Sequence, residues 1–183
     1  MNQKVCVFLA DGFEEIEGLT VVDILRRGKV DVVTVSMMGR LEVEGSHGIK
    51  VLADALFEEM SFDDVTMLVL PGGIPGTPNL QEHQGLTELL RQFNTDGKYL
   101  AAICAAPRIF GALGFLKDRE ACCHPSQEDV LSSKAVSREK VVVSDHIITS
   151  RGMGTAIEFG LTLLTILTEK TTAEHVKNGI VYF

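Results

Sequence analysis

The chain has no excess of basic residues, no apolar run of membrane length, no disulfide framework and no glycine-rich phosphate loop. Seventeen Lys and Arg stand against 25 Asp and Glu, a formal net charge of -8. A surface that neutralises phosphates is built the other way round, so nucleic acid is not an expected partner. No stretch approaches the roughly 20 consecutive apolar residues of a membrane helix, which excludes a membrane partner of that kind. Residues 1–9 lack the charged region, apolar stretch and cleavage site of a secretory signal. Cys6, Cys104, Cys122 and Cys123 show no framework spacing, so reduced thiols in a cytoplasmic protein are expected. Repeats, low-complexity tracts and Pro/Gly/Ser linkers are missing, and 183 residues suit a single domain over residues 1–183. Neither a Walker-type loop, a dinucleotide fingerprint nor a serine nucleophile elbow occurs, and no cofactor is expected.

What is present is an ordinary globular composition, 45% hydrophobic and 23% charged, in which short β-branched runs alternate with helical patterns. Residues 4–9 and 31–36 read as strands. Between them, residues 14–27 place Ile16, Leu19, Val22 and Leu25 or Ile24 at helical spacing. Residues 41–43 and 49–52 flank a Gly45-Ser46-His47-Gly48 turn and read as a hairpin. Residues 66–70 and 99–103 are further buried strands, 85–94 a helix, and 105–113 a helix of small residues. Residues 141–144 and 146–149 form a hairpin around Asp145, followed by a helix over 155–167. Such alternation predicts a mostly parallel sheet covered by helices on both faces, with sites beyond the carboxyl ends of its strands.

Three of those strand ends carry unusual residues. The run into Cys104 and straight on towards a helix has the layout of a nucleophile elbow, and its neighbours Ala102, Ala105 and Ala106 are small, as a tight turn requires. A thiol at a helix N-terminus is drawn towards thiolate, although most free cysteines are simply small buried hydrophobes. Gly72 and Gly73, after Pro71, let a backbone approach closely and, with the Ala105 N–H, would serve as an oxyanion hole; a Pro-Gly-Gly turn alone is a weak sign. Glu14 and Glu15 read as acids favoured at a helix N-terminus. Glu17 lies among Phe13, Ile16 and Gly18, where an apolar pocket would keep it protonated beside a thiolate. His124 is the candidate base by elimination. Cys122, Cys123 and His124 look like metal ligands, but strand alternation points them to different sides and no second pair stands at zinc spacing, so no metal is expected. His47, His83, His146 and His175 have no evident constellation and read as surface or packing residues.

These motifs resemble the ThiJ/PfpI superfamily, and within it the branch of the parkinsonism-associated deglycase and its bacterial relatives. They are Asp11-Gly12-Phe13-Glu14-Glu15-Ile16-Glu17, Leu70-Pro71-Gly72-Gly73, Ala101-Ala102-Ile103-Cys104-Ala105-Ala106-Pro107, His124-Pro125 and Thr149-Ser150-Arg151-Gly152-Met153-Gly154-Thr155, in order along nearly the whole chain. The resemblance implies a flavodoxin-like three-layer α/β sandwich and a homodimer. It implies a reactive Cys104 hydrogen-bonded to a protonated Glu17, with His124 nearby and backbone donors at Gly73 and Ala105. It also implies an anion-friendly pocket in the family's dimers, with arginine at the position of Arg27. The implied activities are cofactor-free conversion of a 2-oxoaldehyde (methylglyoxal to lactate) and deglycation of early adducts on thiols or amines. The alternatives are oxidative-stress sensing and redox-regulated chaperoning through the same cysteine. The chain departs from the pattern at His47, where relatives commonly have arginine, and at Met153, where they usually have proline. No histidine near the last strand is followed two residues on by glutamate, which disfavours amidase or protease chemistry.

Overall fold

Both faces of the first strand are apolar, and that fixes the architecture. In β1 (Lys4–Leu9), Val5, Val7 and Leu9 enter one buried cluster, and Cys6 and Phe8 the other. A strand buried on both sides belongs inside a sheet with helices above and below. The computed structural model shows that sheet and describes residues 3–183; Met1 and Asn2, the start of the stretch expected to hold no secretory signal, lie outside the described residues.

In chain order β1 is followed by α1 (Glu15–Arg27), β2 (Asp31–Ser36), β3 (Glu42–Glu44), β4 (Lys50–Leu52), β5 (Ala55–Leu56), β6 (Val65–Leu70), α2 (Gly76–Glu82) and α3 (Gln84–Asp96). Then come β7 (Tyr99–Ile103), α4 (Pro107–Ala112), β8 (Glu120–Ala121), β9 (Ala135–Val136), β10 (Val141–Ser144), β11 (Ile147–Ser150), α5 (Ala156–Leu167) and α6 (Lys170–Gly179). Seven strands form the central sheet in the order β10-β11-β7-β6-β1-β2-β5. Every neighbouring pair is parallel except the β10/β11 hairpin. Val21, Leu25, Phe159 and Val176 bring α1, α5 and α6 onto one face. Leu80, Leu86, Phe93 and Phe110 bring α2, α3 and α4 onto the other. The result is a flavodoxin-like three-layer sandwich.

From β1 the chain steps outward to β2 and β5 on one side, then returns to build β6, β7 and β11 on the other. The carboxyl ends of β1 and β6 therefore lie at the point where the strand order reverses, the usual crevice of an open α/β sheet. The β3/β4 hairpin closes over this crevice. Gly12 N–H donates to the Glu44 carbonyl at 2.7 Å, and Ser46 N–H to the Phe13 carbonyl at 2.8 Å.

The expected elements are present with small shifts at their ends. The helix expected over residues 105–113 is the exception: Cys104, Ala105 and Ala106 form a turn, and α4 begins only at Pro107, whose ring suits the first helical position. The sequence reading contained no α2, α6 or two-residue strands β5, β8 and β9.

Candidate active site

Cys104 stands between the end of β7 and α4 with φ of +65°, the left-handed region. For a residue with a Cβ that backbone costs about 1–2 kcal/mol, and it persists only where neighbours over-determine it. They do so from both sides. Cys104 N–H donates to the Ser150 carbonyl at 3.0 Å, and its carbonyl accepts from His124 N–H at 2.8 Å. The side chain is half-buried, whereas Cys6, Cys122 and Cys123 are fully enclosed.

Glu17, in the first turn of α1, is 1% exposed. Its Oε2 accepts from Gly72 N–H at 3.0 Å. A Cβ on Gly72 would stand 2.6 Å from the Cys104 Cβ and 2.6 Å from Glu17 Oε2, so no side chain fits between acid and thiol. Gly73 follows with φ of +96°, where a Cβ would strike the backbone of Gly12 and Glu14. This loop is sewn to the β1–α1 loop: Glu14 N–H donates to the Gly72 carbonyl at 2.9 Å and Gly76 N–H to the Gly12 carbonyl at 3.1 Å. Glu14 also caps α1, its Oε2 accepting from Glu17 N–H at 2.8 Å.

Burial pushes the Glu17 carboxyl up to about 7, against hydrogen bonds from Cys104, Gly72 N–H and Met153 N–H, while the charge of Glu14 adds to the rise. Burial, then the charge of an ionised Glu17 and a hydrogen bond to it, push the Cys104 thiol up to about 12; the N–H groups of Ala105 and Gly73 pull it down. The helix-end argument for a thiolate is therefore insufficient by itself, and the residue that decides is Glu17. Two of the three upward pushes on the thiol exist only while Glu17 is a carboxylate. Once protonated, Glu17 carries no charge and becomes a donor to sulfur. Carboxylate with thiol, and carboxylic acid with thiolate, are two placements of one proton, and the pair titrates as a unit.

The structure brings Cys104, Glu17, Gly72, Gly73 and Ala105 together, but Gly72 leaves the expected oxyanion hole. Its N–H is already engaged by Glu17, so Gly73 and Ala105 are the backbone groups left to favour the thiolate. His124 reaches the site by its backbone. Its Nδ1 accepts from Ser126 N–H at 3.2 Å, its ring is exposed at the rim, and among the described residues no hydrogen bond joins the ring to Cys104 or Glu17. Within the single chain Arg27 does not reach the thiol, and it lines a groove with Leu19 and Ile157. It lies ten residues beyond Glu17 on α1, about 15 Å along the helix at 1.5 Å per residue, with Nε 2.7 Å from Asp23. Cys122 is tied to the Thr149 side chain through its N–H at 3.0 Å and forms no metal cluster with Cys123 and His124 among the described residues. His47, read as having no constellation, in fact sits against Glu14 and Glu15. Gly152 was missed: a Cβ there would meet His124 Cδ2 at 3.6 Å and Glu17 Oε1 at 3.8 Å. Its signal was the glycine-rich run at the end of β11.

A family model described as the DJ-1/PfpI family matches residues 3–166. Protein DJ-1 homolog B of Arabidopsis thaliana is 36% identical over 182 residues, covering 98% of this chain and 42% of the relative. The chain thus spans about two-fifths of that plant relative's length. The glutathione-independent glyoxalase DJR-1.2 of Caenorhabditis elegans is 32% identical over 164 residues, covering 87% of each chain. The crystal structure of Drosophila melanogaster DJ-1beta superposes with a TM-score of 0.96 at 32% identity over 100% of both chains. That of oxidized Toxoplasma gondii DJ-1 gives 0.94 at 33% identity over 98% of each.

The shared proton yields a directional expectation. Replacing Glu17 by Ala removes the donor to the thiolate and should slow Cys104 alkylation near pH 7 by about tenfold for each unit by which the thiol pKa rises. It should also turn a two-step pH profile into one step. Iodoacetamide labelling between pH 5 and 10 measures both; faster labelling in the variant shows instead that Glu17 holds the thiol protonated.

Proposed function

Because the chain belongs to the DJ-1/PfpI family, we propose that it is a cofactor-independent glyoxalase of small 2-oxoaldehydes such as methylglyoxal, with the deglycation of early adducts on thiols or amines as the related reaction. The observation that carries this reading is a carboxyl with 1% exposure beside a half-buried cysteine whose thiol pKa the backbone N–H groups of Gly73 and Ala105 pull down. The Caenorhabditis elegans relative, a glutathione-independent glyoxalase, supports it.

The Cys104 thiolate adds to the aldehyde carbon, giving a hemithioacetal whose oxyanion is held by Gly73 and Ala105 N–H. Glu17 supplies a proton to oxygen and, as carboxylate, takes the hydrogen from the former aldehyde carbon. Reprotonation at the adjacent carbon leaves a 2-hydroxyacyl thioester. Water cleaves it to the 2-hydroxy acid and restores the thiol. The sum is substrate plus one water, with oxidation at one carbon balanced by reduction at its neighbour, so no external redox partner is consumed. Glu17 lies against Cys104, so one carboxyl serves successive proton transfers; His124 at the rim is a secondary participant.

The apolar face of α1 completes the reading as a homodimer. Ile16 is 50% and Leu19 36% exposed, one helical turn apart. Leu19 shares a groove with Ile157 and Val181, the latter 67% exposed. A second copy of this chain is the proposed cover, in keeping with the resemblance to a homodimeric family.

A second reading rests on the same donors. Gly73 and Ala105 N–H and a protonated Glu17 would also hold the oxygens of a sulfinate, making Cys104 an oxidation sensor. The oxidized Toxoplasma gondii structure is in keeping with it.

Three measurements separate these statements. Lactate formation from methylglyoxal should vanish in Cys104→Ser and fall at least about 100-fold in Glu17→Gln, the lower range for a general acid–base group; unchanged turnover in both removes the enzyme reading. Mild peroxide followed by mass spectrometry should oxidise Cys104 ahead of Cys6, Cys122 and Cys123, and equal oxidation at all four counts against the sensor. Sedimentation should give a dimer for the wild type and a monomer for Leu19→Glu; a monomeric wild type overturns the proposed cover.

A further inference from the structure

In the proposed reaction one oxygen has no partner. When the hydrogen leaves the former aldehyde carbon, its electron pair moves into the carbon–carbon bond and charge builds on the ketone oxygen. Gly73 and Ala105 N–H serve the first oxygen, and Gly72 N–H is taken by Glu17. His124 stands across Gly152 from the acid: a Cβ on Gly152 would meet His124 Cδ2 at 3.6 Å and Glu17 Oε1 at 3.8 Å. Cδ2 is bonded to Nε2, so the second ring nitrogen lies next to the atom that borders Gly152. Nδ1, on the opposite side of the ring, is turned to Ser126.

What Nε2 can do is set by a chain of hydrogen bonds that begins at Arg108, on α4. A guanidinium donates and never accepts. Arg108 Nη1 donates to Gln127 Oε1 at 3.2 Å, and its Nε to Gln81 Oε1 at 3.2 Å. An obligate donor at Oε1 decides which way round the Gln127 amide sits, and the Nε2 end faces Ser126. That amide donates to the Ser126 carbonyl at 3.1 Å and to Ser126 Oγ at 3.2 Å. With its oxygen accepting, the Ser126 hydroxyl directs its hydrogen to His124 Nδ1, 2.9 Å away. The Ser126 main-chain N–H donates to the same nitrogen at 3.2 Å. Two donors thus meet at Nδ1, which leaves no room for a proton there. The neutral ring then carries its hydrogen on Nε2.

We propose that Arg108, Gln127 and Ser126 are positioning residues that hold His124 as an Nε2–H donor to the ketone oxygen of the substrate, so that His124 is a hydrogen-bond donor and not the base. This rests on the glyoxalase reading and deepens it. Glu17 breaks the C–H bond and carries the proton onward. The pair from that bond forms the carbon–carbon double bond, and the ketone π pair moves onto oxygen. His124 keeps its own proton throughout and steadies that oxygen, as a preorganised donor does for any charge that develops during reaction. The polarity of the chain is what makes the ring a donor. An acceptor in place of Arg108 would reverse each amide and hydroxyl up to Nδ1.

Nitrogen-15 NMR of the full chain reads the ring independently of turnover. Wild-type His124, in its neutral form, should be the Nε2–H tautomer. In Arg108→Glu the Gln127 amide turns round and draws the Ser126 hydroxyl away, so the Nδ1–H form should rise by about threefold, the worth of a modest hydrogen bond. Arg108→Lys keeps a donor and should restore the wild-type ring. Gln127→Leu, at a half-buried position, cuts the chain and should act like Arg108→Glu, with circular dichroism checking the fold of each variant. An Nδ1–H ring in the wild type overturns the proposal, as do ring nitrogens unchanged in both Arg108→Glu and Gln127→Leu. In the lactate assay His124→Gln retains a donor but no base, and its kcat should exceed that of His124→Ala by about tenfold. Equal losses in the two overturn the donor role. Lactate missing from the wild type overturns the glyoxalase reading instead, and the ring tautomer is still measured.

Discussion

One proton between a buried carboxyl and a half-buried thiol is the constraint on which this structure turns. Neither group ionises readily alone: burial raises Glu17 to about 7 and helps to raise Cys104 to about 12. Together they have a cheaper arrangement, in which the acid keeps its proton and donates a hydrogen bond to the thiolate. That arrangement needs close approach, and close approach needs a gap with no side chain in it. Gly72 supplies the gap, and its N–H steadies the carboxylate from the third strand end.

The topology explains why these three pieces meet. Glu17 follows β1, Gly72 follows β6 and Cys104 follows β7, and these strands are neighbours in the sheet. The reversal of strand order between β1 and β6 opens the crevice, and the hairpin over α1 narrows it. Strain at Cys104 is confined there by hydrogen bonds to Ser150 and His124, which couple the elbow to the far side of the sheet. The fold therefore holds the sulfur in place through backbone more than through side-chain packing.

That division also decides what was legible in the sequence. Elements with a strong period could be read. The doubly apolar β1, β6 and β7 gave the parallel sheet, and the amphipathic pattern of α3 gave its helix. Elements with few buried residues could not. In α6 only Ala173 and Val176 are buried, and α2 carries a glycine and a proline with Leu80 as its main anchor. β5, β8 and β9 are two residues each, held by pairing to a partner that a local pattern cannot reveal. At the site, Cys104, Glu17, Gly73 and Ala105 were recognisable because a sharp turn and a buried acid restrict the permitted residue types.

Two expected residues stand outside the side-chain cluster of the single chain, for one physical reason. Arg27 was assigned by resemblance and His124 by elimination, and both are long polar side chains whose reach depends on geometry invisible in one dimension. On α1 the helical rise alone separates Arg27 from Glu17. His124 does matter to the site, but through its main-chain N–H on the Cys104 carbonyl, a contact independent of its imidazole. Gly72 was misassigned for the complementary reason. Residue type announced that backbone comes close to something, and only the fold shows that its N–H faces an acid. A site whose working groups are largely amides writes itself into sequence as small residues at strand ends. Such a pattern locates the site well and leaves the partner of each amide to be read from the structure.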